Sequence, residues 1–166
     1  MPPPEYETTP SEVRNFARLQ LGLTAVFLVL IYAMIGGLGE DVIPWWLIVV
    51  LVGAVVVGTV LAERVWMSAM PFPPDSDPEE MRTKAVGIFA GQVVRKQAFC
   101  QAPILLSVLA TFVFPYGGWP ILVGAVPGLL VLAFETWPSL RNTSMTEAML
   151  NADGADAGLV ESFRGW

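Results

Sequence analysis

Four stretches of the chain carry almost no ionisable side chain, and short turns alternate with longer polar segments between them. The first, about residues 19–38, is apolar apart from Gln20 and Thr24. A helix of about 20 residues, rising about 1.5 Å per residue, covers the roughly 30 Å hydrocarbon core of a bilayer. Gly36, Gly37 and Gly39 then open a tight turn with Glu40 and Asp41. The second stretch, about 42–62, has Pro44 in its first turn, where a missing N–H costs little. Trp45 and Trp46 mark one interface and Trp66 the other, because amphipathic rings favour the headgroup level. The third, about 98–114, carries Gln101 and is expected to kink at Pro103. The fourth, about 119–136, is expected to kink at Pro127 and stops at Trp137-Pro138. The pattern predicts an all-α membrane protein of four transmembrane helices, with a tail at 1–18, a loop at 63–97 and a tail at 137–166.

The loop is not featureless. Pro71, Pro73 and Pro74 make an extended elbow, and Asp77-Pro78-Glu79-Glu80 reads as a helix start with Asp77 as N-cap. Glu80 and Lys84 are placed to pair at i,i+4. Met81, Ala85, Ile88 and Gln92 trace one stripe, and Val86, Phe89 and Val93 lie beside it. Two readings stay open: an amphipathic helix on the cytoplasmic membrane surface before the third span, or an ordinary cytoplasmic extension of that span. In the last segment, Ser144 and Glu147 have capping-box spacing, which predicts a short helix over 146–151.

Composition sharpens this picture. Charged residues are 14% of the chain, against about 25% in soluble domains. All nine basic residues fall in the tails and the 63–97 loop, and the two short turns carry none. The positive-inside rule then places both termini in the cytoplasm. The first apolar stretch lacks an Ala-x-Ala cleavage site and reads as a retained helix. Arginine outnumbers lysine seven to two, a codon bias that suggests a bacterial plasma membrane protein. The net charge of −6 argues against nucleic acid as a partner. Histidine is absent, which removes the commonest general base and metal ligand, and the single Cys100 allows no internal disulfide.

A shift of 71 residues aligns the second stretch with the fourth, with 11 identities in 25 positions that include Pro44 with Pro115, Gly53 with Gly124 and Trp66 with Trp137. Apolar bias accounts for part of this. As a duplication, it gives two tandem helical hairpins, with Gly53 and Gly124 at matching close approaches between helices.

Candidate chemistry is sparse. Glu63, Arg64 and Glu135 stand at the cytoplasmic ends of their spans, as interfacial anchors, a local ion pair or functional carboxylates. No Asp, Glu, Lys or Arg falls in the middle of a span, which argues against a self-sufficient ion-coupled carrier. Ser107, Thr111 and Thr59 are expected to bond back to their own helices or to a neighbouring helix. No nucleophile stands beside a base and no phosphate loop occurs, so no catalytic or cofactor-binding residue is assigned. Asp75, Asp77, Glu79 and Glu80 read as solvated helix-start charges rather than a metal site. The sequon Asn142-Thr143-Ser144 falls on the cytoplasmic side, where glycosylation fails.

What remains is interaction. The expectation is a non-enzymatic accessory subunit that meets membrane lipids and a partner membrane complex. Its candidate contact positions are Gly53, Gly124, Glu63, Arg64, Glu135, Met81, Ile88 and Phe89. A small oligomeric transporter or channel and a lipid-modifying membrane enzyme are the alternatives. The Pro-rich start Met1-Pro2-Pro3-Pro4-Glu5-Tyr6, the four spans and the Arg/Ala/Val usage resemble small actinobacterial envelope proteins. Some of those are accessory factors of multisubunit lipid importers of the mammalian-cell-entry type. The resemblance is one of layout over the whole chain and carries over no functional residue. It implies a part in fatty acid or sterol import through a partner transporter.

Overall fold

A computed structural model describes residues 8–74 and 77–164. The proline cluster at Pro2, Pro3 and Pro4, and Asp75 of the acidic cluster, lie outside the described residues. Within them the protein is all-helical, with one isolated backbone bridge and no strand. Helix α1 is Pro10–Ile35 and α2 is Trp45–Glu63, continued by a 3-10 turn, Arg64–Ser68. Helix α3 is Pro78–Val113, and α4 is Val126–Thr136, preceded by a π-turn, Ile121–Ala125. Helices α5, Leu140–Leu150, and α6, Leu159–Arg164, follow.

Three segments are long and apolar enough to cross a membrane: Pro10–Ile35, Trp45–Ser68 and Pro78–Val113. A fourth candidate, Ile121–Thr136, continues into Leu140–Leu150 across a bend of 51°. Their outer faces carry large exposed apolar side chains, among them Leu23, Leu30, Val49, Val56, Leu109 and Leu130. Apolar bands on this scale are rare on soluble monomers and are compatible with a membrane protein.

Local chemistry sets where each helix begins and bends. Helix α1 starts well before its apolar run, because Thr9 and Glu12 form a reciprocal capping box with Pro10 in the first turn. The expected polar tail is therefore helical from Pro10 onward. Helix α3 starts as expected, with the Asp77 side chain accepting from the N–H groups of Glu79 and Glu80. It then runs without a break for 36 residues, about 54 Å at about 1.5 Å per residue. The expected amphipathic helix and third span are thus one continuous helix, with Pro103 inside it. At Pro127, where a kink is expected, the structure places a π-turn just ahead of the proline, in which the Val126 N–H reaches back to the Ile121 carbonyl. That wider turn lies directly before a residue with no N–H to give and a ring that crowds the preceding turn.

Helix α3 is the central element, packed against α2 on one side and α4 on the other. Helix α1 leans on α3 and α4 and barely meets α2. Tandem hairpins would pair α1 with α2 as α3 pairs with α4, so the packing corrects that expectation. The reason lies in the glycines. Gly53 faces outward, and a Cβ there would meet nothing within 4 Å. The close approach in α2 is at Gly58 instead, where a Cβ would lie 2.8 Å from the Phe99 carbonyl oxygen. Pro103, four residues on, has no N–H to give that carbonyl. Gly124 does mark a close approach, since a Cβ there would collide with Ser107.

At one end of the bundle the two short turns meet. The Gly118 N–H donates to the Gly37 carbonyl at 2.9 Å, and Leu38 pairs with Gly117. At the other end the final segment, expected as a polar tail with one short helix, folds back over the first half of α3. Leu150, Ala157, Leu159 and Phe163 there form one core with Val13, Ala85, Val86, Phe89 and Val93.

Candidate functional site

The end of the bundle away from the turns gathers four charged side chains from four helices. Glu63 closes α2, Lys96 lies within α3, Glu135 ends α4 and Arg141 opens α5. Lys96 Nζ donates to Glu135 Oε2 at 2.8 Å, with the two side chains 6% and 0% exposed. Arg141 donates to the Glu63 carboxylate, and its Nη1 lies 3.6 Å from Glu135 Oε1. Two acids and two bases make the junction neutral. Burying one of these charges alone would cost several kcal/mol, and the pairing offsets that cost. Arg141 also lies over the Phe134 ring, 4.8 Å from its centroid.

Glu63 and Glu135, singled out as span-end acids, are thus brought together through Arg141. Arg64 is not part of the junction: it is exposed and makes no ion pair among the described residues. Sequence reasoning missed Lys96, which it grouped with Arg95 as a loop cation. Successive residues on a helix point about 100° apart, so Arg95 faces out while Lys96 faces the core.

Polar contacts bind the final segment to the junction. Asn142 Nδ2 donates towards the carbonyls of Phe134, Glu135 and Trp137, the end of α4 that would otherwise be bare. Thr146 Oγ1 donates to Gln92 Oε1 at 2.7 Å, and the Phe72 N–H donates to the Leu150 carbonyl at 2.9 Å. The Asn142 side chain is therefore a buried structural group. The capping box expected at Ser144 does not form. Ser144 bonds back to Arg141, and the Glu147 carboxylate accepts from the Val160 N–H.

The stripe on the first half of α3 divides between two roles. Met81 and Phe89 are 5% and 3% exposed, and the Phe89 ring meets Phe163 edge-on at 5.3 Å. The chain's own final segment therefore covers Phe89. Ile88 is half-buried and faces a groove of about 790 Å³ between Ser68–Phe72 and the outer face of α3.

Known protein families, curated proteins and solved structures give no match to this chain. Among the described residues, no three His, Cys, Asp or Glu side chains converge as a metal site, and Asp77 serves as a helix cap. Ser107, Thr111 and Thr59 donate to carbonyls one turn back in their own helices, as expected. Gln92 Nε2 and Glu135 Oε1 are buried without a hydrogen-bond partner among the described residues.

Proposed function

We propose that the chain is a four-span protein of a bacterial plasma membrane with both termini cytoplasmic. It works as a non-enzymatic accessory subunit of a larger membrane complex, one that imports lipids such as fatty acids or sterols. The observation that carries the accessory reading is the loose attachment of α1. Only 11% of its most apolar window is buried within the chain, against 44% for α3. Its outer face, from Leu19 through Leu23, Val26 and Leu30 to Met34, is left for lipid and for partner helices. The neutral junction and the folded final segment supply a rigid platform beside it. The lipid-import part of the proposal rests on the resemblance in layout described above.

A tagged full-length chain, extracted from native membranes in mild detergent, tests this. Co-purification of a transporter or enzyme complex in fixed stoichiometry is the expected result. Recovery of the chain alone, or only with itself, contradicts it. One observation favours a second reading, a small oligomeric transporter: the buried Lys96–Glu135 pair leaves Glu135 Oε1 without a hydrogen bond, and embedded charge is typical of ion pathways. Solute flux in liposomes holding the purified chain alone would favour that reading.

A further inference from the structure

The groove beside the first half of α3 takes no part in the charged junction. Its volume of about 790 Å³ falls among small-molecule sites, which run about 300–1,000 Å³. Gly87, Ile88 and Gly91 form one wall, and the non-helical residues 69–72 form the other. Arg95 and Ser68 meet at one end, 3.4 Å apart, and Lys84 stands at the other. Those ends are 11 residues apart in sequence, about 16 Å along the helix axis.

Between its charged ends the lining is apolar. Met70 is 82% exposed and Ile88 half-buried. The third apolar stretch begins about 10 residues beyond Ile88, about 15 Å along the helix, so the hydrocarbon of a bilayer does not cover this surface. Apolar surface left open in this way marks a binding groove. A peptide main chain would find little there to pair with. The α3 backbone is spent within its helix, the Ala69 N–H donates to the Trp66 carbonyl and the Phe72 N–H to the Leu150 carbonyl, and Pro71 has no N–H. An apolar chain needs no such pairs. Charge sets the sign of the ligand's head. Among the described residues no acid lines the groove; Lys84 is held by Glu80, whereas exposed Arg95 has no carboxylate within 4 Å.

We infer that this groove binds a long-chain fatty acid, with its carboxylate on Arg95 and its acyl chain between Ile88 and Met70. The arginine fork takes a carboxylate through paired N–H groups. The apolar walls take the chain without asking for a hydrogen bond. A sterol offers Arg95 no charge. This inference goes beyond the accessory reading and is separable from it, because the purified chain binds the acid alone, whereas co-purification decides whether a partner complex exists.

The test is photolabelling of the purified full-length chain in phosphatidylcholine nanodiscs, using a palmitate analogue with a mid-chain diazirine. Peptide mapping is expected to place the adduct on residues 69–72 or on α3 around Ile88. Excess palmitate should compete it away, and palmitate methyl ester and lysophosphatidylglycerol should not. Arg95→Gln should lower the labelling about tenfold, the worth of a hydrogen bond to a charged group. Gly91→Leu should lower it as much by filling the groove; a Cβ there meets nothing within 4 Å, so the substitution leaves the fold in place. A groove adduct no stronger than labelling of the outward face of α2 around Gly53 overturns the proposal, as does no adduct at all. So does labelling indifferent to either substitution, or competition by the ester or the lysolipid as strong as by palmitate.

Discussion

Lys96 and Glu135 show how one helical position decides the status of a charge. Arg95 and Lys96 are adjacent, yet one is exposed and the other is 4% exposed against the carboxylate of α4. Composition and span-end position made Glu135 visible as a candidate. Lys96 was hidden because a helix over this segment was legible, whereas the face of it that α4 covers was not. Removing one partner strands the other, so Lys96→Met is expected to destabilise the fold by about 3–5 kcal/mol. A double replacement, Lys96→Met with Glu135→Leu, is expected to recover much of that loss, because neither charge is then left alone. Thermal unfolding of the purified chain in detergent measures both. Losses that simply add would show that the two residues do not act as a pair.

Among the elements, small residues set how closely the helices approach. Gly58 lies over the Phe99 carbonyl that Pro103 leaves without its helical partner, whereas Gly53 looks outward. Gly58→Ala is therefore expected to cost about 1–3 kcal/mol through overpacking. Gly53→Ala is expected to stay within about 0.5 kcal/mol of the parent. Equal effects on thermal stability would contradict the packing described. The sequence repeat pointed to Gly53 because identity along a chain does not report which helix face is covered. Other boundaries were legible. The Thr9-x-x-Glu12 box with Pro10 is a complete helix-start signal inside the segment that reads as a polar tail. The Asp77 cap was read correctly. The final segment was not, since its polar composition conceals Leu150, Leu159 and Phe163, which are spaced through turns and become one core only against α3.

At the scale of the whole molecule, the chain separates into two ends. One holds the short turns, tied together between Gly37 and Gly118. The other holds the start of α1, the elbow, the junction and the final segment; Arg14 lies over Phe163 and Arg18 over Trp137. The alternation of short and long polar segments made this division legible, because even crossings return the chain to the same end. The long segments' internal packing was not legible, because it depends on contacts such as Arg82 with Glu161, 79 residues apart. The central claim, four crossings with both termini on the cytoplasmic side, is tested most directly by cysteine accessibility. In a Cys100→Ala background, single cysteines replace Ser11, Asp41 and Ser144, all exposed. Spheroplasts are then treated with a membrane-impermeant maleimide. The account predicts labelling of Asp41→Cys in intact spheroplasts, and of Ser11→Cys and Ser144→Cys only after the membrane is opened. Labelling of Ser144→Cys or Ser11→Cys from outside, or of all three alike, would contradict it.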